Sequence, residues 1–258
     1  MKKSIFTKTE PEKKLIVKLQ RNAGRGNFGK ITVRHKGGGA KRFYRMVNFG
    51  QERIDEPAKV IAFEYDPYRP AYLVLLEYAD GKRCYRLAPH GIKIGDTVIT
   101  SEKTEIKIGN RMKLKNMPIG TEVFDVELKP GMGAQMVRAA GSAAQILTQE
   151  GKYIHLKMPS KEVRKVLSES FATIGQVSHP EHKYEKLRKA GQSILRGIRP
   201  HVRGTVMSPR AHPHGGGEGK RPIGMPFPKT PWGKPARGVK TRKRKTTNKF
   251  IIEKRKKK

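Results

Sequence analysis

The chain has 258 residues, with 57 Lys or Arg against 22 Asp or Glu, a formal net charge of +35 and one cysteine. That length can bury one or two real cores, and that charge calls for a polyanionic partner, phosphate above all. A single cysteine excludes an internal disulfide and a multi-cysteine zinc site, and the longest strongly apolar run, Tyr72–Leu76, is far below the ~20 residues of a spanning helix.

The charge is uneven. Residues 1–53 carry +12, residues 54–185 only +2, and residues 186–258 carry +21. A near-neutral middle between two basic arms predicts a folded body with nucleic-acid-binding extensions. Self-repulsion is expected to keep the arms unfolded in isolation. They lack the interleaved Leu/Phe face of an interfacial helix, so no membrane partner is expected. Met1-Lys2-Lys3 is followed by polar residues rather than the apolar core of a secretory signal, which points to the cytoplasm.

Taken in order, residues 1–40 read as a basic arm with one short strand at Leu15-Ile16-Val17. The run Gly24-Arg25-Gly26-Asn27-Phe28-Gly29-Lys30-Ile31-Thr32-Val33-Arg34-His35-Lys36-Gly37-Gly38-Gly39 follows, then Lys41 and Arg42. These are closely spaced donors on a flexible backbone, with Phe28 as a stacking surface. From Phe43 the pattern turns to short β-branched and aromatic runs. Strands are predicted over Lys59–Tyr65, Ala71–Ala79, Lys82–Leu87 and Asp96–Thr100, with Asp80-Gly81 as a two-residue hairpin turn. Short, close strands with no helical segment between them suggest a small barrel, although periodicity does not separate a barrel from a sandwich. Cys84 is read as a small strand-packing residue.

A second strand set starts near Met112, with predicted strands at Thr121–Leu128, Tyr153–Met158, Val163–Val166 and Ala172–Val177. His155 falls on the polar face of one of them. Pro180, with Glu181 and Glu185 early and Lys186, Arg188 and Lys189 late, predicts a short helix that Gly191 ends. The remainder to Lys258 is basic and Pro-rich, without apolar periodicity. Within it, Met207-Ser-Pro-Arg-Ala-His-Pro-His-Gly-Gly-Gly-Glu-Gly-Lys-Arg221 excludes regular structure through Pro209 and Pro213. Its glycines permit close approach to another surface, and Arg210, Lys220 and Arg221 bracket it with charge. The Gly215–Lys220 spacing is one residue short of a nucleotide-binding loop, and Arg221 replaces the magnesium-holding hydroxyl. His212 and His214 lack the third protein donor that zinc needs, so no metal site is read there.

The Gly24–Gly39 and Met207–Arg221 runs, with Thr230-Pro231-Trp232-Gly233 and Thr246-Thr247-Asn248-Lys249-Phe250, resemble the bacterial-type second protein family of the large ribosomal subunit. The resemblance implies a mainly β fold: an oligonucleotide-binding-type barrel followed by an SH3-like barrel, with long basic N- and C-terminal extensions. The implied division is an arm over 1–40, barrels over 41–111 and 112–180, and a short helix with a basic extension over 181–258. Asp66-Pro67-Tyr68-Arg69 and Gly133-Ala134-Gln135-Met136-Val137-Arg138 resemble two family motifs whose arginines contact 23S rRNA. The rRNA-binding set is therefore Arg25, Arg34, Lys41, Arg42, Arg69, Arg138, Arg210, His212, His214, Lys220, Arg221 and Trp232. Removal of Arg69 or Arg138 is expected to weaken RNA binding and leave the fold intact.

The function implied is structural: 23S rRNA binding, assembly, subunit association, tRNA placement and support of the peptidyl-transferase region. Implied neighbours are 16S rRNA across the subunit interface, other ribosomal proteins and the tRNA region. No cofactor is implied beyond structural Mg held through the rRNA, and no enzyme. The competing reading makes His212 a direct helper in peptide-bond formation. Ala211 stands where the family often has an acidic residue, which removes an orienting partner for such a base.

Overall fold

The structure, a computed structural model, describes residues 6–219 and 221–255. It falls into two compact units: one of residues 1–20, 42–186 and 247–258, the other of residues 21–41 and 187–246.

The first unit holds all the regular sheet. Strand β1 (Ile16–Val17) pairs with β2 (Tyr44–Arg45). Four further strands, β3 (Pro57–Glu64), β4 (Leu73–Tyr78), β5 (Arg83–Leu87) and β6 (Thr97–Ile99), form an antiparallel sheet in the order β5-β4-β3-β6. A parallel bridge from Val47 to Tyr85 curls the segment after β2 onto β5, giving the oligonucleotide-binding-type barrel. The apolar run Leu73-Val74-Leu75-Leu76 is buried on both faces of β4. Val74 and Leu76 join Val60, Ile92 and Val98 in one cluster. Leu73 and Leu75 join Tyr85, Leu87, Phe124 and Val177 in another, so one face of β4 packs on the second barrel. At about 1.5–3 kcal/mol per fully buried large side chain, these clusters dominate the stability of this unit.

The predicted two-residue hairpin between β4 and β5 is a three-residue loop. The Tyr78 amide donates to Lys82 O (3.0 Å) and the Gly81 amide to Tyr78 O (2.9 Å), with Gly81 at φ +74°. A turn followed by a left-handed glycine bulge keeps the strand twist without requiring positive φ at Asp80.

The SH3-like barrel comprises β7 (Arg111–Lys113), β8 (Glu122–Phe124), β9 (Val126–Glu127), β10 (Ala134–Met136), β11 (Ala144–Glu150), β12 (Tyr153–Lys157), β13 (Val163–Leu167) and β14 (Phe171–Ile174). The predicted Thr121–Leu128 strand is broken at Asp125, which takes φ +50° and donates its amide to Val137 O at 3.1 Å. The break lets β8 pair with β11 and β14 while β9 pairs with β10. Met112, Leu114, Val123, Ile146, Ile154, Leu156 and Val166 fill the core. Strand β15 (Ile251–Glu253) returns from the far end of the sequence to pair with β13.

The predicted helix after Val177 is a 3-10 turn, Pro180–Tyr184, with Pro180 in its first turn. A separate helix, α1 (Ala190–Leu195), begins where Gly191 was expected to end the first, because Gly191 lies inside it.

The second unit is built differently. Segment 21–41 is cross-braced to 187–246 by backbone bonds, Gly37 N to Gly197 O and Ala40 N to Leu195 O, both 2.8 Å, and His35 stacks on His201 at 4.1 Å. Gly39 (φ +64°) is needed there, since a Cβ would lie 2.7 Å from Leu195 O. Among the described residues of this unit only Gly24 and His212 are buried, so no hydrophobic core holds it.

Candidate nucleic-acid interface

In the first unit, three predicted arginines converge on one run of aromatic rings. Arg42 lies over Tyr68 (5.8 Å), which meets Tyr44 edge-on at 5.5 Å; Arg69 lies over Tyr44 (4.8 Å) and Phe49 (5.7 Å); Arg138 lies over Phe49 (4.7 Å). The Asp66-Pro67-Tyr68-Arg69 turn is organised by Asp66, whose side chain is fully buried. Its Oδ1 accepts the Tyr68 amide at 2.8 Å and its Oδ2 accepts from the Arg69 guanidinium. Arg69 also donates to the Tyr44 hydroxyl at 2.6 Å. Arg69 is therefore paired with a buried carboxylate, a contact that the expectation of its being dispensable for the fold did not include. Arg138 is exposed and carries no such duty.

In the Gly131–Gly133 loop before Arg138, the buried Glu127 accepts the amides of Gly133 (2.9 Å) and Gly131 (3.4 Å), and also that of Phe171 (3.1 Å), with Arg111 at 3.5 Å. Gly133 (φ +73°) lies against Phe49, where a Cβ would be 3.0 Å from the carbonyl oxygen. Val137, at φ +55°, is a β-branched residue in a region it rarely occupies, and it turns the chain towards Arg138. Near this loop Asp125 is buried with Oδ1 unpartnered. Burial pushes its carboxyl up to about 7 in spite of Arg111, Arg138, Arg86 and Arg69.

In the second unit, Arg34 lies over Trp232 at 5.4 Å, and Trp232 is 76% exposed. His212 is the buried centre of its loop. Its Nδ1 accepts the His214 amide at 3.0 Å, its carbonyl accepts the Gly215 amide at 2.8 Å, and a Cβ on Gly204 would strike the ring at 2.5 Å. Desolvation, then His214 and Arg34, lower the His212 pKa. His214 Nε2 accepts the Lys229 amide at 2.8 Å. Gly215 is required, because a Cβ would lie 2.3 Å from Ser208 O. Arg25 donates to Gly29 O at 2.7 Å, while Lys41, Arg210 and Arg221 are exposed, Arg221 beside Gly217. Lys220 lies outside the described residues. The unit carries 22 Lys or Arg against one acidic residue, Glu218, a net +21.

Residues 12–100 match the family described as Ribosomal Proteins L2, RNA binding N-terminal domain, and residues 107–233 match Ribosomal Proteins L2, C-terminal domain. The chain belongs to the ribosomal protein L2 family. It is accordingly a large-subunit ribosomal protein of the translation machinery that binds rRNA. No helix among the described residues of this L2-family chain is long and apolar enough to cross a membrane.

Sequence reasoning missed Tyr44 and Phe49, the rings beneath Arg69 and Arg138. The signal was present in Lys41-Arg42-Phe43-Tyr44-Arg45, where basic and aromatic residues interleave. Glu127 and Asp125 had no sequence signal, since isolated acids in a strand run read as solvent-facing. Cys84 is on β5, half-buried against the first cluster, with its thiol pushed up by burial. His155 is half-buried on β12, its Nδ1 2.8 Å from the Thr148 hydroxyl.

Proposed function

We propose that this L2-family chain is a structural 23S rRNA-binding component of the cytoplasmic large subunit, not an enzyme. It supports assembly, subunit association, tRNA placement and the peptidyl-transferase region, with 16S rRNA, tRNA and other ribosomal proteins as neighbours and with any Mg held through the rRNA. The observation that carries this reading is the second unit: a net +21 on a segment without an apolar core, which phosphates must neutralise for it to hold its shape. The arginines over Tyr68, Tyr44 and Phe49 suit the same role, since guanidinium planes grip phosphate with two bonds and stack on bases.

The competing reading gives His212 a proton to move. Its hydrogen bonds oppose that: Nδ1 is already an acceptor, so the proton of the neutral ring sits on Nε2 and no lone pair is left for a substrate. Among the described residues no carboxylate pairs with His212. His212→Gln retains an acceptor for the His214 amide. Purified large subunits containing it are expected to keep single-turnover peptide transfer within a few-fold of wild type while assembling more slowly. A loss of about a hundredfold in fully assembled particles, the low end for general-base catalysis, would establish the catalytic reading instead.

A further inference from the structure

The 3-10 turn Pro180–Tyr184 carries a histidine at its N-cap, His179, another at its centre, His182, and a glutamate at its C-cap, Glu185. His179, left-handed at the N-cap, and Glu185, extended at the C-cap, flank the turn that holds His182, and the three side chains come together on it. Their nitrogen and oxygen ligand atoms all lie within 4.8 Å of one another. His179 Nε2 is 3.2 Å from Glu185 Oε1, and His182 Nδ1 is 2.9 Å from Glu185 Oε2.

The decisive atom is His179 Nδ1. It is 2.8 Å from the Pro70 carbonyl oxygen, which only accepts, so Nδ1 carries the proton. Nε2 of the neutral ring then turns a lone pair towards a carboxylate oxygen, and two lone pairs at 3.2 Å repel unless something positive lies between them. A proton on His179 Nε2 answers that one pair, and His182 meets the other carboxylate oxygen; a single divalent cation answers all three groups at once. A donor set of two imidazoles and a carboxylate is that of a divalent transition ion; Mg²⁺ and Ca²⁺ take oxygen donors. Adjacent ligands of a tetrahedral zinc, with bonds of ~2.0–2.1 Å, stand ~3.3 Å apart, and each imidazole stands near that distance from its own oxygen of Glu185, with all three ligand atoms within 4.8 Å of one another. The ring is also held as a metal-bound imidazole is held, its second nitrogen donating to a backbone carbonyl. It stacks on Tyr72 at 4.6 Å with planes 16° apart. The turn itself is seated closely, for a Cβ on Gly141 would lie 2.5 Å from Pro180 Cα.

We propose that His179, His182 and Glu185 bind a zinc-class divalent cation, with water completing the tetrahedron on the exposed side. Because His179 is bonded to Pro70 and stacked on Tyr72, the ion clips the turn that leaves β14 to the start of β4. It is a structural site.

The test uses the full chain, freed of RNA and stripped with a chelator. Zn²⁺ titrated against a chromophoric competitor is expected to bind one to one, and Co²⁺ to give the intense visible bands of a tetrahedral site. His182→Gln and Glu185→Gln should each weaken binding at least tenfold, and His155→Gln should not. His182 and Glu185 are 36% and 46% exposed in their side chains, so these variants should match wild type in melting temperature without metal, whereas Zn²⁺ should raise that temperature in wild type alone. Zn²⁺ bound equally by wild type and by a variant carrying both His182→Gln and Glu185→Gln, or removed from both by dialysis, would overturn the site.

Discussion

At the scale of single residues, similar arginines have different duties. Arg69 forms an ion pair with the buried Asp66 and bonds to Tyr44, whereas Arg138 lies over the Phe49 ring from an exposed position. Removing one partner of a buried pair strands the other charge. Arg69→Ala should therefore cost about 3 kcal/mol in denaturant unfolding. Arg138→Ala should cost no more than about 1 kcal/mol, the worth of an exposed cation–π contact, and yet weaken binding to a 23S fragment. Equal destabilisation by the two would show that the Asp66 pair is not what holds that turn. Asp125 yields a pH prediction. Its folded-state pKa of about 7 lies above the ordinary 3.8, so the native protein holds this proton more tightly than the unfolded chain. The stability it contributes is full below pH 3.8 and is lost as pH rises towards 7. Asn tolerates the positive φ and does not ionise. Asp125→Asn should thus melt above wild type at pH 8, with the gap closing by pH 4; a gap of constant size at both would refute this origin.

At the scale of elements, the edge of the SH3-like sheet is the telling feature. A strand with one side unpaired presents bare amides and carbonyls. Strand β15 covers β13 in this way, with pairs Val163–Glu253 and Arg164–Ile251. A chain stopped after Lys245 should lose about 1–2 kcal/mol, a midpoint lower by a few degrees, at roughly 1 kcal/mol for each ladder bond removed. Differential scanning calorimetry checks this, and an unchanged midpoint would mean that β15 contributes nothing to the barrel. The loop that presents Arg138 shows how a left-handed backbone is tolerated. Glu127 takes three amides of its surroundings, so the strain at Val137 is offset by bonds made before and after it.

At the scale of the whole molecule, the two units differ in what holds them. The first buries Tyr85, Phe124, Leu73, Leu75, Ile146 and Leu156; the second buries Gly24 and His212. RNA affinity should therefore fall steeply with salt, by roughly 0.7 to 0.9 in log affinity per log salt for each phosphate neutralised. Replacing the seven Lys and Arg between Lys234 and Lys245 by Gln should flatten the slope by up to about 6 if each makes a contact. An unchanged slope would place the phosphate contacts on the barrels.

The amino-acid sequence determined the strand content, the basic segments and the family, because alternation, turn residues and the His-Pro-His-Gly-Gly-Gly-Glu-Gly string are local signals. Leu73–Leu76 read as strand from its own residues, and Arg69 and Arg138 stood out within their motifs. Tertiary structure decided what those residues touch. Asp80-Gly81 became a three-residue loop because strand twist favours a glycine bulge there, and the predicted Thr121–Leu128 strand broke at Asp125 because its amide found Val137 across the barrel. That Ile251–Glu253 would close the edge of β13, that Tyr44 and Phe49 would lie under the arginines, and that His179, His182 and Glu185 would converge are long-range pairings or depend on the backbone angles at the two ends of a 3-10 turn. Local propensity carries no information about such pairings, since the free energy that selects them is released only when segments distant in the chain are packed together.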